Sequence, residues 1–431
     1  MRVTVFGLWH LGSVTAACLA EAGHEVVGLD PDENVIADLR QAKPPIHEPG
    51  LADLVAEGLK RGKLTFSADA AAACKEADVL WVAFDTPVND EDEADVGWVR
   101  GQLDAVVPLL RPGACVLISS QVPAGFTASL ERACVDRGLS FACSPENLRL
   151  GKALECFRHP ERIVVGCRGE SERRRLANLL EPFCRNIVWM SIESAEMTKH
   201  AVNAFLGTSV TFINELARIC EAVGADAKEV EQGLKSEKRI GPGAYLSPGA
   251  AFAGGTLARD LRFLMDLADR GGVQAPMFRG VWAGNQEHKD WVRGQVARLL
   301  ADAEAPIVAI LGLTYKAGTS TLRRSSALEL CSWLHDQGVS VRAHDPAVQA
   351  MPPELNDVAS LCDSASAALA GADIAVIGTD WPQFRSLSGD QLVAWMRRPQ
   401  VVDPNHFLAA VLAEDPRVMY VATGKRVRCC A

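Results

Sequence analysis

The sequence predicts an α/β protein: two Rossmann-like, doubly wound parallel-sheet domains joined by a long central helix and a helical middle domain. Three observations carry this prediction. Short β-branched runs alternate with helical patterns up to about residue 190, the signature of a parallel sheet with helices on both faces. An unbroken helical apolar period then covers 193–223, and a second alternating stretch opens at Pro306. A chain of 431 residues is also too long for one compact core. The boundaries fall at 1–190, 191–300 and 301–431.

In chain order, strands are expected at 2–7, 25–30, 79–84, 115–120, 162–167 and 186–190, with helices such as 11–22, 98–110 and 125–137 between them. The unit from Arg2 to Asp30 has the length of a dinucleotide-binding βαβ. Met197, Ala201, Ala204, Phe205, Val210, Phe212, Ile213, Leu216 and Ile219 set the period of the long helix. Further helices follow to about 300, interrupted by a Gly/Pro-rich stretch at 240–255. Beyond Pro306 come strands at 307–311, 339–344, 374–379 and 400–403, and a helix at 325–337.

Composition narrows the function. The formal net charge of -10 argues against a sequence-independent grip on nucleic acid, which needs clustered Lys and Arg. No apolar run approaches the roughly 20 residues of a membrane span, and Met1 passes straight into strand-like Arg2–Phe6, so no signal peptide is expected. The 13 cysteines show no framework spacing and read as reduced thiols of a cytoplasmic protein, Cys429 and Cys430 being incidental. No metal is expected, because His and Cys nowhere take ligand spacing.

Gly7-Leu8-Trp9-His10-Leu11-Gly12 closes the first strand and opens a helix. Such a helix N-terminus offers backbone N–H groups and a positive dipole end to a pyrophosphate. Asp30 ends the second strand, where a carboxylate accepts hydrogen bonds from ribose hydroxyls and repels a 2′-phosphate, favouring NAD over NADP. Trp9 stands where the fingerprint has its middle glycine. It must turn away or shift the phosphate path.

Glu196, Lys199 and Asn203 follow i, i+3, i+7 spacing and share one face of the long helix. Lys199 and Asn203 are one turn apart and can converge on one oxygen. An ammonium and an amide donor suit removal of a hydride from an alcohol, because they stabilise the developing alkoxide.

Around these residues the chain resembles the UDP-glucose/GDP-mannose dehydrogenase family. Ser194 to Leu206, followed by Phe212-Ile213-Asn214-Glu215, is similar to the central helix of the UDP-glucose dehydrogenases. Glu48-Pro49-Gly50-Leu51, Thr86-Pro87 and His159 to Gly166 agree in the family's order, and Ser144-Pro145-Glu146-Asn147-Leu148-Arg149 resembles its SPEFLRE segment. Arg239-Ile240-Gly241, Tyr245-Leu246 and Pro248-Gly249 match the loop that wraps the nucleotide sugar. Gly312 to Lys316, with Thr319 and Arg323, resembles the motif opening the C-terminal domain, and Ala372-Asp373 and Thr379 to Phe384 echo a later one.

The resemblance implies NAD at 1–190, with Thr86, Pro87 and Gln121 beside the fingerprint. It implies a central domain carrying catalysis and a homodimer interface through the long helix, and a nucleotide-sugar domain at 301–431. Leu148, Arg149, Tyr245, Leu246, Gly249, Gly254, Lys316 and Arg323 become substrate contacts, with UDP-glucose the default. Lys199, Asn203, Asp260, Glu146 and Thr256 become the reacting set.

The departures are specific. The family oxidises the sugar C6 twice, and a cysteine in a segment reading FGGSCFPKD forms a thioester on the way to the acid. Phe252 to Asp260 lines up with that segment without a gap, and Thr256 takes the place of the thiol. A threonine hydroxyl is a much poorer nucleophile unless a base activates it. Leu150 replaces the second glutamate of the SPEFLRE segment, Gln121 the threonine of an STVP stretch, and Arg259 a lysine. Three readings follow: a two-electron dehydrogenase stopping at the aldehyde; a four-electron enzyme using the hydrate, with Glu146 or Asp260 as base; and a catalytically silent nucleotide-sugar binder.

Overall fold

The computed structural model describes residues 1–89, 93–146, 148–253 and 255–426; Asn147, Gly254, Cys429 and Cys430 lie outside them. The chain packs as two compact units, 1–202 and 203–431.

The first unit is built on β1 (Arg2–Phe6), β2 (Glu25–Leu29), β3 (Leu64–Ser67), β4 (Val79–Val82), β5 (Cys115–Ile118), β6 (Ser140–Cys143), β7 (Ile163–Cys167) and β8 (Ile187–Met190). They lie in the order β3-β2-β1-β4-β5-β6-β7-β8. Alternation along each strand feeds two cores. Val3, Val5, Val79, Trp81, Cys115 and Leu117 pack on one face, and Phe6, Leu80, Val82, Val116 and Ile118 on the other. A strand buried on both faces must read as a continuous apolar run, as these do.

The order reverses between β1 and β4, whose C-terminal ends are in register at Phe6 and Val82. The crevice outside the strand ends at such a reversal is where open α/β sheets take ligands. The segments leaving β1 and β4 therefore meet there.

The second unit begins with the remainder of the long helix Ile192–Val223 and continues through helices Ala227–Ser236, Thr256–Arg270 and Pro276–Leu300. Leu261 and Leu264 of the third pack with Ala204 and Val281. A second sheet follows: β9 (Ile307–Leu311), β10 (Ser340–His344), β11 (Ser360–Leu361), β12 (Ile374–Ile377), β13 (Gln400–Val402) and β14 (Met419–Val421). Its order, β11-β10-β9-β12-β13-β14, repeats the first six positions of the N-terminal sheet, with every pairing parallel.

The doubly wound fold class is thus observed, with differences in detail. β3, β6, β11 and β14 were not expected from sequence; β3, β11 and β14 are short strands at the sheet edges. The N-terminal sheet is not wholly parallel, because β7 runs antiparallel to β6. The connection 144–162 returns beside β6 in reverse, a pairing that needs no full crossover. The expected helices 98–110 and 125–137 are α-helical over Val96–Val106 and Phe126–Ala133 and end in separate 3-10 turns.

Candidate active site

The glycine-rich turn is built as a dinucleotide turn requires. Gly7 has φ of 92°, and a Cβ there would lie 2.5 Å from the Phe84 ring. A Cβ on Gly12 would lie 1.7 Å from the Gly7 carbonyl oxygen, so neither position accepts a side chain. Trp9, the N-cap residue of the helix His10–Glu21, makes no side-chain cap hydrogen bond. Leu8 and Leu11 are buried. Asp30 accepts the Leu8 N–H at 2.7 Å through Oδ2 and the Asp32 N–H at 3.0 Å through Oδ1, which fixes its carboxylate at the end of β2. These features fit a dinucleotide.

Two features do not. Trp9 stands at the N-cap position with its side chain half exposed. Asp85, which sequence reasoning passed over, places Oδ2 3.5 Å from the Leu11 N–H. Its signal was a carboxylate beside the matched Thr86-Pro87. Thr86 itself is buried and donates to the Gln121 carbonyl at 2.7 Å, which ties the loop after β4 to the loop after β5; Pro87 is exposed.

His10 meets Glu48, its Nε2 lying 3.0 Å from Oε2. Glu48 also accepts the Gly151 and Ala153 N–H groups, each at 2.8 Å. The matched Glu48-Pro49-Gly50 block is therefore structural, since its carboxylate satisfies the first amides of the short helix Ala153–Arg158.

Lys199 and Glu146 are brought together. Nζ donates to the Glu146 carbonyl at 2.7 Å and lies 3.9 Å from its Oε1. They line one small cavity with Ser120, Gln121 and His200. Ser120 Oγ is buried there with no hydrogen-bond partner among the described residues. Glu146 Oε2 also accepts the Leu148 N–H at 2.6 Å, while Arg149 is exposed. Glu196, on the same helix, does not serve this cavity as a donor-acceptor pair with Lys199. It accepts from Gly125 N–H, Thr127 N–H and Thr127 Oγ1–H at 2.6–2.9 Å and so caps the helix Phe126–Ala133. Burial holds its carboxyl above the usual range, despite the hydrogen bonds from Thr127 and Gly125.

One turn further along the long helix, Asn203 donates through Nδ2 to Asp260 Oδ2. Asn203 is buried and Asp260 fully so. Lys199 and Asn203 thus sit at the expected spacing, each held by its own acceptor. Thr256 is exposed and is the first residue of the helix Thr256–Arg270, which also carries Asp260.

The loop before that helix is pinned from several directions. Asn214 accepts the Gly249 N–H at 3.0 Å and donates to the Ala250 carbonyl at 3.2 Å. Asn405 accepts the Ala250 N–H at 2.9 Å. Asn285 exchanges two hydrogen bonds with Phe252, at 3.0 and 2.9 Å. His288 Nε2 lies 2.8 Å from the Gly249 carbonyl; burial lowers its pKa, so the neutral ring donates there. Asn214 lay in a matched block without a reason, and the reason is this loop. Asn285, His288 and Asn405 did not stand out in the sequence, because buried Asn and His look like any helix or loop residue until the loop they hold is in place.

Ala250, Ala253, His288, Arg293, Ser326 and Asn405 help line a cavity of about 410 Å³. It opens at the C-terminal end of β12, beside the reversal of the second sheet. Leu246 is buried, whereas Tyr245, Lys316 and Arg323 are exposed. Burial and the neighbouring Tyr245 raise the pKa of Tyr315, next to Lys316.

Comparison with known proteins agrees along the chain. Residues 1–184 match the NAD binding domain of the UDP-glucose/GDP-mannose dehydrogenase family, 193–287 its central domain and 309–410 its UDP binding domain. A UDP-glucose 6-dehydrogenase from Pseudomonas aeruginosa is 34% identical over 99% of this chain and 98% of its own. One from Rhizobium meliloti is 33% identical over 94% of each chain. The structure of a UDP-glucose dehydrogenase from Pyrobaculum islandicum superposes with a TM-score of 0.88 at 28% identity, covering 98% of both chains. With this turn, this helix and these matches, the chain belongs to the UDP-glucose/GDP-mannose dehydrogenase family, NAD-dependent oxidoreductases that act on a CH–OH group of a nucleotide sugar.

Proposed function

We propose that this chain oxidises a primary, C6-type alcohol on a nucleotide-linked sugar, with UDP-glucose the default substrate, and releases the aldehyde or its hydrate. One observation supports it above others. The groups that serve alcohol oxidation are held in pairs, Lys199 with Glu146 and Asn203 with Asp260, while an exposed threonine stands at 256 in place of the family's thiol.

NAD, when bound, accepts the hydride leaving the carbinol carbon. The backbone of the turn Gly7-Leu8-Trp9-His10-Leu11-Gly12 and the Asp30 carboxylate would hold it, with Thr86, Pro87 and Gln121 beside them. A Lys ammonium carries three donors, so Lys199 serves both the Glu146 carbonyl and the alcohol oxygen as charge grows there. The Asn203 amide has two N–H groups; Asp260 accepts one, which leaves the second to donate. The Glu146 carboxylate, 3.9 Å from Nζ, takes the hydroxyl proton. Without a thiol to form the thioester, the reaction ends after one oxidation.

Leu148, Arg149, Tyr245, Leu246, Gly249, Gly254, Lys316 and Arg323 are assigned to the nucleotide sugar. Support comes from the pinned loop 249–253 beside the 410 Å³ cavity. Segments 1–190, 191–300 and 301–431 are assigned to cofactor, chemistry and nucleotide. A homodimer through the long helix is supported by its exposed Phe205, Phe212 and Ile219. A cytoplasmic setting is supported by cysteines with no disulfide among the described residues.

The test is stoichiometric. Excess protein and NAD are incubated with limiting UDP-glucose, and NADH is counted per sugar. One NADH is expected, rising to two in Thr256→Cys. Two in the parent chain would mean that acid forms without a thiol, through Thr256 or through the hydrate with Glu146 or Asp260 as base. No NADH from any nucleotide sugar would leave a silent binder, the reading that Trp9 favours.

A further inference from the structure

We infer that Asp85 is an internal competitor for the cofactor's diphosphate, and that Trp9 reinforces it, so NAD must displace the Asp85 side chain to bind and is held more weakly for it.

β1 and β4 are neighbours in register, so the loop after β4 emerges beside the helix that follows β1. That helix presents N–H groups and the positive end of its dipole, equivalent to roughly half a charge, to whatever anion lies in front. In this chain an anion of its own lies there: Asp85 Oδ2 is 3.5 Å from the Leu11 N–H. At that length the hydrogen bond itself is weak, and a carboxylate facing a helix N-terminus is also attracted by the dipole.

A diphosphate seated on the same amides would stand against that carboxylate. Like charges in contact at a partly enclosed site repel strongly, so the two exclude each other. Asp85 is exposed, so its side chain can return to water when displaced. The block is therefore reversible, and it shows as weakened binding rather than a closed site.

Trp9 acts on the same approach. The turn holds glycine where geometry demands it, at Gly7 and Gly12. At the position between them, where a glycine lets a phosphate come close to the backbone, an indole projects from the N-cap residue and is half exposed. One residue adds bulk and the other adds negative charge, both at the diphosphate and neither at Asp30, where the ribose would sit. The adenosine end of the site is intact.

Ligands with and without the diphosphate therefore separate the two ends. Binding of NAD, ADP-ribose and adenosine to the full chain is measured by titration calorimetry for the parent, Asp85→Asn, Asp85→Glu, Trp9→Gly and the Asp85→Asn/Trp9→Gly double variant. Asp85→Asn is expected to tighten NAD and ADP-ribose by tenfold or more while leaving adenosine within twofold. Asp85→Glu should stay close to the parent, and Trp9→Gly should tighten the same two ligands. Equal NAD affinity in the parent and Asp85→Asn, or equal gains for adenosine, would overturn the competitor role while leaving the cofactor site standing. Failure of the double variant to bind NAD at all would overturn both.

Discussion

At the scale of single residues, the proposed function rests on Lys199, Asn203, Glu146 and Asp260 for one alcohol oxidation and on Thr256 standing where the family has a thiol. Lys199 is the sharpest place to test this. Lys199→Ala removes the only ammonium of the pair while leaving the Glu146 carbonyl at the cavity edge. Turnover of the nucleotide sugar is expected to fall by about 10²–10³-fold, as when one preorganised donor to a developing oxyanion is lost. UDP-glucose binding, measured separately by calorimetry, should change far less, and undiminished turnover would remove Lys199 from its role. Lys199 and Asn203 were legible in the sequence because helical spacing alone puts them a turn apart. Asp260 was legible only through resemblance, since 57 residues separate it from Asn203. Asp85 was illegible for a different reason. An acidic residue in an exposed loop looks like ordinary solvated charge until β4 is known to lie beside β1.

At the scale of elements, charged groups at strand starts hold the second sheet in register. Asp373, fully buried, precedes β12 and accepts the Ile307 N–H at the start of β9 at 2.9 Å. Arg397, ahead of β13, donates to it through Nε at 2.7 Å and through Nη2. Burial alone would raise the Asp373 carboxyl, but the hydrogen bonds from Arg397 and Ile307 and the charges of Arg397 and Arg398 outweigh it and hold it below its ordinary value. A lowered folded pKa contributes stability above the unfolded value, which is lost as pH falls through the folded one. Asp373→Asn is therefore expected to cost about 1–3 kcal/mol at neutral pH, toward the lower end because half-exposed Arg397 is screened by water. The difference from the parent in denaturant melts should shrink below about pH 4; a penalty unchanged down to about pH 3 would assign the loss to packing instead. Ala372-Asp373 was visible in the sequence as a matched block without a reason, and the reason is this clamp. The strands inside the sheets were mostly readable from their apolar runs, within two residues at their ends, β6 excepted. β3, β11 and β14 were not, because two to four residues at a sheet edge carry no period of their own.

At the scale of the whole molecule, the same strand order occurs twice and the two turns have diverged. In the first sheet Asp30 faces a turn shaped for a dinucleotide. In the second, the equivalent Asp345 is buried and consumed, accepting from Leu313 N–H, Thr314 N–H and the Trp381 indole at 2.7–2.9 Å. Its Oδ1 accepts the Ala347 N–H much as Oδ1 of Asp30 accepts that of Asp32, but Asp345 is buried where Asp30 is half-buried, which matches a sheet given over to another part of the ligand. What neither sheet accounts for is the outer face of the long helix. Phe205, Phe212 and Ile219 are 71%, 49% and 58% exposed, seven residues apart. Seven residues are nearly two helical turns, so the three form one stripe roughly 20 Å long. Monomers seldom leave so continuous an apolar stripe in water, and a two-fold pairing of this helix with its copy would cover it on both chains at once. Phe212 is the middle residue, so in a two-fold pairing centred on the stripe it meets its own counterpart. Phe212→Glu would then place two carboxylates against each other at the centre, where like charges cannot be relieved by sliding. The parent is expected to sediment as a dimer and Phe212→Glu as a monomer at micromolar concentration, with an unchanged far-ultraviolet circular dichroism spectrum showing that the fold survives. A variant that stays dimeric would place the interface elsewhere. A parent that is already monomeric would leave the stripe exposed in solution and remove the helix pairing altogether.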